Sequence, residues 1–250
     1  MPITVTGLNL APVKGMRVAA VAEVRLEPAG PVGDRAFLVV DGDDELLKTT
    51  RTPALLQVEP AWDGDALVLR FPDGREAREV PRPGARATTA MYDGRVMPGR
   101  LVDGPLADAL SEHLGRRVRL LARDTGETGA DDAPVTLMSE ASLRALGPAV
   151  GGSTPDGRRF RMTLTIDGVE AWDEHGWTGR EVTAGEAVLR VVDPVPRCVV
   201  TTRDPDDGHV DVPILKALAQ LRGKDDVTFG VWCQVARPGR VRVGDVVAPG

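Results

Sequence analysis

The chain has 250 residues, of which 42% are hydrophobic and 27% are charged, and its formal net charge at pH 7 is −6. This length allows one large core or two smaller ones, whereas the negative charge argues against non-specific binding to nucleic acid, which needs a basic surface. No stretch approaches the ~18 apolar residues of a membrane-spanning helix, and residues 1–7 carry no signal-like sequence. We therefore expect a soluble cytoplasmic protein that binds neither nucleic acid nor membrane.

Short apolar and alternating stretches predict a fold built mainly from β-strands. In chain order the predicted strands are residues 3–10, 21–26, 36–40, 67–71, 118–122, 162–166, 187–192, 227–235 and 240–246. Asp-Gly pairs predict tight turns at 41–42, 63–64, 73–74, 93–94 and 167–168. Helical spacing appears in three places, which are residues 105–114, residues 140–146 after a capping Ser139, and a segment from Pro213 to just before Gly223.

The chain divides near Arg116 into two β-rich parts, residues 1–116 and 117–250. Residues 126–133 and 150–158 are polar and rich in glycine, so we predict mobile loops there. The predicted fold class is mainly β, of the α+β type, with few short helices.

Cys198 lies in the segment that is most informative about chemistry. It and Cys233 are the only cysteines, too few for a disulfide framework, an all-thiolate zinc site or an iron–sulfur cluster. Arg197 favours the thiolate form of Cys198, and Asp204 is placed to support the segment from behind. A lone cysteine among valines is also typical of a small core residue, so a soft metal ligand and a core position both stay open. Cys233 is predicted to lie in a core strand.

Several cations stand beside glycines or an aromatic residue. Lys14 and Arg35 lie in the first part of the chain, and residues 158–161 read Arg-Arg-Phe-Arg. Guanidinium groups match phosphate oxygens, although a short charge run is also typical of a solvated edge strand. Ser139 offers an anion site or an ordinary helix cap. The nucleotide-binding glycine patterns and the Gly-x-Ser-x-Gly elbow are absent, which argues against those enzyme classes.

Taken in order, a series of segments resembles the MOSC family, named after the C-terminal domain of molybdenum cofactor sulfurase. The specific ones are Ser139-Glu140-Ala141-Ser142-Leu143 and Arg197-Cys198 followed by Thr201-Thr202 and Asp204-Pro205. The supporting ones are Lys14-Gly15-Met16-Arg17, Gly33-Asp34-Arg35, Arg159-Phe160-Arg161, Ala171-Trp172-Asp173-Glu174 with Trp177, Phe229-Gly230-Val231 and Val243-Gly244-Asp245. The likeness implies an amino-terminal MOSC β-barrel-like domain, residues 1–116, packed against a MOSC barrel, residues 117–250, as in the amidoxime-reducing members of the family.

The resemblance also implies a mononuclear molybdenum held by a pyranopterin dithiolene and by one protein cysteine. Cys198 matches the ligand position, and Asp204 is predicted to orient the ligand loop or to relay protons. Molybdopterin brings two sulfurs and a phosphate, so the protein has to supply one thiolate and several cations. The residues predicted to bind this cofactor are Lys14, Arg35, Ser139, Arg159, Arg161, Arg197 and Thr201.

The chain departs from the family pattern at a few positions. Met162-Thr163 stands where the family often has Pro-Asn, Gly15 stands where a serine is frequent, and Arg203 stands where a valine is frequent. These changes affect the predicted cofactor contacts and leave the cysteine ligand in place.

The resemblance implies a molybdenum-dependent reductase of N-oxygenated compounds, such as hydroxylamines, N-hydroxyamidines and N-oxides. No ferredoxin-type cysteine pattern follows the last predicted strand, so we expect a separate electron donor, either a ferredoxin or a flavin or iron–sulfur reductase. The alternatives are a sulfur-transfer protein with a persulfide on Cys198, a carrier of the molybdenum cofactor, and a β-barrel binding module without metal.

Overall fold

The computed structural model describes residues 2–250, which form eighteen β-strands and three α-helices. The strands are β1 (Ile3–Leu10), β2 (Ala19–Ala20), β3 (Glu23–Glu27), β4 (Gly30–Pro31), β5 (Phe37–Val40), β6 (Glu59–Trp62), β7 (Leu67–Arg70), β8 (Glu76–Glu79), β9 (Arg86–Ala90), β10 (Val96–Val102), β11 (Arg119–Arg123), β12 (Val135–Ser139), β13 (Leu164–Asp167), β14 (Glu181–Ala184), β15 (Ala187–Pro196), β16 (Thr228–Arg237), β17 (Gly239–Arg242) and β18 (Val246–Pro249). The α-helices are α1 (Pro105–Leu114), α2 (Glu140–Leu146) and α3 (Ile214–Arg222). Short 3-10 helices cover Pro53–Gln57, Gly147–Val150, Gly157–Phe160, Asp173–Trp177 and Val199–Thr202. Within residues 2–250, no helix has both the length and the apolar character needed to span a membrane.

Seven strands close into a barrel in the order β13-β12-β16-β15-β14-β18-β1, and β1 pairs back onto β13. Closure leaves these strands without a free edge. Alternate side chains point inward and form one apolar core, to which Val5, Leu137, Leu189 and Val231 belong. Cys233 is fully buried in the same core, which confirms its predicted core position. The mainly β fold class is confirmed as well.

Most of the first half of the chain, together with β11, forms a second apolar core. A four-stranded sheet in the order β5-β11-β10-β9 and a three-stranded sheet in the order β6-β7-β8 surround it together with α1. Leu106 and Leu110 of α1 face this core, and the helix ends at Gly115, which adopts a left-handed φ of 64°. β1 precedes Arg116 in the sequence but completes the barrel, and β11 follows Arg116 but pairs with β5 and β10 of the second core. Each part of the chain therefore lends a strand to the other, and the division near Arg116 stays a prediction.

The helix and turn predictions agree with the structure, since all three helices lie where capping and spacing place them. At the predicted turns, the carboxylates of Asp63, Asp73 and Asp93 each accept a hydrogen bond from the backbone two residues on, as Asx turns do. The predicted strand 240–246 is wrong. It splits into β17 and β18, because Asp245 accepts a hydrogen bond from the Arg242 backbone at 2.8 Å and Gly244 turns the chain with a φ of 94°.

A buried carboxylate fixes the start of α2. Glu174 is 0% exposed, and it accepts hydrogen bonds from the backbone N–H of Ser139 at 3.2 Å and from the hydroxyls of Ser139 and Ser142 at 3.0 Å each. The Ser139 hydroxyl in turn accepts the Ser142 N–H at 3.0 Å and so caps the helix. The two serines therefore join α2 to the 3-10 helix Asp173–Trp177.

Removing the Glu174 carboxylate should destabilise the protein strongly. Glu174→Ala leaves several buried donors without an acceptor, and we expect a loss of about 3 kcal/mol in the free energy of unfolding. Glu181→Ala is the matched control, because Glu181 is exposed and pairs with the exposed Arg190, and it should cost less than about 1 kcal/mol. Chemical denaturation of both variants measures the difference. Equal losses would contradict the assigned role of the buried network.

Candidate functional site

A cavity of about 370 Å³ lies where the two halves of the chain meet. Lys14, Arg35 and Tyr92 line it from the first half, and residues of the second half form the rest of the wall. Apart from Ser139 and Asp204, every residue that the sequence predicted for the site lines this cavity, namely Lys14, Arg35, Arg159, Arg161, Arg197, Cys198 and Thr201. The fold thus brings most of the predicted site together.

Cys198 presents an exposed thiol at the rim of the barrel. It follows β15 and precedes the 3-10 helix Val199–Thr202, with an extended backbone (φ −111°, ψ 176°). Its carbonyl accepts hydrogen bonds from the backbone N–H of Thr201 at 3.1 Å and from the Thr201 hydroxyl at 2.9 Å. The turn therefore holds the backbone of Cys198 and leaves the sulfur free to face the cavity, so Cys198 is not a core residue.

Two arginines of the cavity have no carboxylate partner within residues 2–250. The Arg161 guanidinium makes neither a hydrogen bond nor a salt bridge there, and burial, reinforced by the neighbouring Arg35, lowers the pKa of Arg161 to about 10. Arg197 donates to the Phe160 carbonyl and stacks over the Phe160 ring, while its Nε is buried without a partner. Burial lowers the pKa of Arg197 to about 10 as well. Both groups would be stabilised by an anion in the cavity.

The other cations of the cavity are paired, as Lys14 and Arg35 show and as Arg159, described next, shows too. The Lys14 ammonium is buried and donates to the Asp131 carboxylate at 2.6 Å and to the Gly129 carbonyl at 3.0 Å. Burial lowers the pKa of Lys14. Arg35 pairs with Asp34, whose carboxylate also accepts the Ala11 N–H at 2.7 Å. Cations therefore outnumber carboxylates in the cavity lining, which contains five cationic side chains and two carboxylates, namely Lys14, Arg35, Arg159, Arg161 and Arg197 against Asp131 and Asp132.

The three arginines in residues 158–161 have different partners. The buried Arg159 binds Asp211 with both terminal nitrogens, at 2.7 and 2.6 Å, and donates to the Arg203 carbonyl at 2.6 Å. Arg158 lies nearer the surface, where it pairs with Asp156 and Asp206. Arg159 thus ties down the segment that follows Cys198, whereas Arg161 is the arginine whose guanidinium is left free. A joint fork of Arg159 and Arg161 on one phosphate stays a prediction.

The structure does not bring Ser139 or Asp204 to the cavity. The Ser139 hydroxyl lies in the buried network with Glu174 described above. The Asp204 carboxylate accepts hydrogen bonds from the backbones of Asp206 and Asp207 at 2.8 and 3.1 Å, and it lies 3.8 Å from Arg159. These contacts let Asp204 shape the loop behind Cys198, and a proton relay through it stays a prediction.

Several cavity residues escaped the sequence reasoning, and Tyr92 and Asp131 are the two with the clearest contacts to the predicted cations. Tyr92 is the only tyrosine of the chain, and its ring lies 5.8 Å from the Lys14 ammonium and 4.8 Å from that of Lys48. Burial raises the pKa of Tyr92 to about 12. Asp131 lies in the polar segment 126–133, where its charge looked like that of any solvated loop. Neither residue belongs to a periodic pattern, so only tertiary structure reveals it.

Two of the departures have local explanations. Gly15 lines the cavity with a φ of 88°, a conformation that residues with a side chain rarely adopt, and a Cβ there would lie 2.8 Å from the Thr49 hydroxyl, which would have to shift. Thr163 is buried and exchanges hydrogen bonds with Thr136, at 2.9 Å from its own N–H to the Thr136 hydroxyl. Thr136 lines the cavity but Thr163 does not.

Comparison with known proteins decides the family. Residues 124–248 match the family model of the MOSC domain, and residues 2–113 match that of the MOSC N-terminal beta barrel domain. The chain belongs to the MOSC family.

Relatives of this MOSC protein match it over nearly its whole length. Mitochondrial amidoxime reducing component 2 of Rattus norvegicus is 26% identical over 98% of this chain and 82% of that protein, and that of Homo sapiens is 24% identical with the same coverage. Molybdenum cofactor sulfurase of Caenorhabditis elegans is 26% identical over 92% of this chain and 33% of that protein. The crystal structure of the YUAD protein from Bacillus subtilis covers 99% of this chain and 94% of its own at 12% identity, with a TM-score of 0.50, which supports a shared fold alone.

The loop behind the MOSC cysteine should depend on Arg159. Arg159→Ala leaves Asp211 and the Arg203 carbonyl without their buried donor, and we expect a loss of about 2 to 3 kcal/mol in the free energy of unfolding. Looser packing behind Cys198 should also speed its alkylation. Chemical denaturation and the rate of reaction with iodoacetamide measure the two effects.

Arg158→Ala is the matched control for this experiment. Arg158 is the neighbouring residue, and its partners Asp156 and Asp206 are partly exposed, so its removal should cost less than about 1 kcal/mol. Indistinguishable stabilities and alkylation rates in the two variants would show that Arg159 does not hold the loop.

Proposed function

We propose that this MOSC protein binds a molybdenum cofactor in the cavity, with Cys198 as the protein ligand of the metal, and reduces small N-oxygenated compounds. Hydroxylamines, N-hydroxyamidines and N-oxides are the substrate class. The observation that carries the proposal is the exposed thiol of Cys198 on a cavity whose Arg161 and Arg197 lack anionic partners within residues 2–250. The names of the relatives, which are amidoxime reducing components and molybdenum cofactor sulfurases, support the same chemistry.

The residues present fit such a cofactor. Its phosphate would satisfy donors that are otherwise unused, among them the Arg161 guanidinium and the buried Nε of Arg197. A cysteine thiolate is a soft ligand that suits a metal already held by sulfur. Within residues 2–250, no group of three or more His, Cys, Asp or Glu side chains is arranged to hold a metal, so a metal here would take most of its ligands from the cofactor. The cavity volume of about 370 Å³ falls in the range of small-molecule sites.

When bound, the cofactor would supply the two-electron chemistry that removes oxygen from an N–O bond. The chain's own residues would hold it in place. Thr201 fixes the backbone that presents the Cys198 thiol. Arg161 and Arg197 would bind the phosphate, together with Lys14 and Arg35. Arg159 and Asp204 would keep the loop behind Cys198 in position.

The electrons would come from a separate donor, either a ferredoxin or a flavin or iron–sulfur reductase. Cys233 is the only other cysteine, and it is fully buried in the barrel core, where burial raises its pKa to about 12. It is therefore a poor electron carrier and a poor metal ligand. A cytoplasmic location stays a prediction, since several relatives carry mitochondrial names.

Sulfur transfer is the second candidate function. The exposed Cys198 thiol could accept a sulfur atom from the persulfide of a cysteine desulfurase, which would leave a persulfide on Cys198 and a thiol on the donor. The similarity to molybdenum cofactor sulfurase favours this possibility. A cofactor carrier would bind the same ligand without turnover.

Molybdenum content tests the ligand assignment. Protein made in a molybdenum-replete host should contain near-stoichiometric molybdenum, and Cys198→Ser should lose most of it because a hydroxyl is a harder and far less acidic ligand than a thiol. Cys233→Ala is the matched control and should keep its molybdenum, since Cys233 lies in the core. Inductively coupled plasma mass spectrometry measures all three proteins. Full occupancy of Cys198→Ser would rule out Cys198 as a required ligand.

Turnover tests the reaction. With a reduced viologen dye, the metal-loaded protein should convert a hydroxylamine to the amine, with two electrons and two protons consumed and one water released for each N–O bond. Product formation followed by chromatography should require both the added donor and Cys198. If the loaded protein is inert towards a broad panel of N-oxygenated compounds, yet Cys198 accepts sulfur from a cysteine desulfurase, sulfur transfer replaces the reductase function.

A further inference from the structure

A carboxylate of the chain itself occupies one cationic corner of the cavity. Lys14 is a buried residue, with only 8% of its surface exposed. Its ammonium has one carboxylate partner within residues 2–250, which is Asp131 at 2.6 Å. The Asp131 side chain is 53% exposed, so one side of it meets Lys14 while the other is open to solvent. This ion pair stands on the wall that also carries Arg35 and Arg161.

The segment that carries Asp131, residues 126–133, is attached to the protein largely through its backbone carbonyls. Lys14 donates to the Gly129 carbonyl at 3.0 Å, Arg95 donates to the carbonyls of Thr128 and Ala130 at 3.1 and 2.8 Å, and Arg123 donates to that of Glu127. Its buried apolar anchors are small, namely Ala130 and Ala133. Leaving the cavity wall would exchange these hydrogen bonds for bonds to water, and it would break no large apolar contact.

The surrounding charges favour an anion at this corner. Burial opposes ionisation of Asp131, but Lys14 and, more weakly, Arg35 and Arg161 outweigh it and lower the pKa of the carboxyl. Asp131 is therefore a carboxylate at neutral pH. It supplies one negative charge to a corner where three cations converge, whereas a phosphate group carries about −1.5 to −2 and three acceptor oxygens.

We propose that Asp131 is an internal anion that competes with a phosphate-bearing ligand for Lys14, and that ligand binding displaces Asp131 and releases the segment 126–133 from the cavity wall. Both anions cannot share the single ammonium without mutual repulsion at short range. The inference rests on the part of the proposed function that assigns a phosphate-bearing cofactor to this cavity. Asp131 would then set the affinity for the ligand and the ease of its exchange.

Pyrophosphate is a suitable probe, because it presents the same anionic chemistry without metal or pterin. The full chain would be produced in a host that makes no molybdopterin, so that no cofactor competes with the probe. Asp131→Asn should bind pyrophosphate about tenfold more tightly than the wild type by isothermal titration calorimetry, because the competing charge is gone. Asp131→Glu keeps the charge and should bind within about threefold of the wild type.

Asp132→Asn is the matched control. Asp132 also lines the cavity and its replacement makes the same change in net charge, but Asp132 forms no salt bridge with any residue in 2–250. It should change the affinity by less than about threefold, because a separated charge acts through solvent. Equal gains in pyrophosphate affinity in Asp131→Asn and Asp132→Asn would show that the effect comes from the net charge of the protein, and they would overturn the proposal.

Hydrogen exchange of the wild-type protein gives a second readout that does not depend on any variant. Pyrophosphate should speed amide exchange in residues 126–133 if the segment is released. Greater protection of this segment would overturn the proposal, because Asp131 would then stay on Lys14 beside the ligand. Pyrophosphate binding to neither the wild type nor Asp131→Asn would overturn it too, while leaving the molybdenum analysis of Cys198→Ser as a separate test of the proposed function.

Discussion

Positive charge without matching negative charge is the constraint on which the cavity depends. Arg161 and Arg197 are held in a region where burial lowers their pKa values, and they have no carboxylate partner within residues 2–250. A buried cation without a partner costs free energy, so folding alone gives no reason to place these side chains here. A bound anion would offset that cost, and folding and ligand binding should therefore stabilise each other.

The barrel explains how distant residues reach one site. β15 ends at the rim after pairing with β16 as far as Pro196 and Thr228, and the chain then turns through Cys198. β1 closes the same barrel from the other end of the sequence, and the segment that follows β1 brings Lys14 to the cavity. The backbone of Lys14 is fixed there by a 2.8 Å hydrogen bond to the carbonyl of Phe37 in the second core. The thiol thus comes from the rim of the barrel and the ammonium from a segment anchored to the second core, and the two meet at the cavity.

The sequence allowed prediction of those parts that local chemistry controls. Helix α1 follows from its apolar spacing and the stop at Gly115, and helix α2 follows from the cap at Ser139. Strands such as β8 (Glu-Ala-Arg-Glu) and β9 (Arg-Ala-Thr-Thr-Ala) escaped because charged residues and small polar residues interrupt their alternation. Pairing with neighbouring strands, which are distant in sequence or follow a turn, makes such segments extended.

The site likewise has features that the sequence predicted and features that only the structure reveals. The segment around Cys198 was recognisable because its residue types occur together in a short stretch. The partner of each charged side chain was not recognisable from the sequence, because it depends on tertiary contacts. Arg159 and Arg161 look equivalent in the sequence, yet one binds Asp211 and the other faces the cavity unpaired. For Ser139 the sequence left an anion site and a helix cap open, and the structure shows that it caps α2 and binds the buried Glu174.

Anomalous diffraction at the molybdenum edge, from crystals of the protein made in a molybdenum-replete host, tests the central claim most directly. The account predicts one anomalous peak in the cavity, within bonding distance of the Cys198 Sγ, with electron density for a phosphate group near Arg161 and Arg197. A molybdenum peak away from Cys198, or a fully loaded protein with no peak in this cavity, would contradict it.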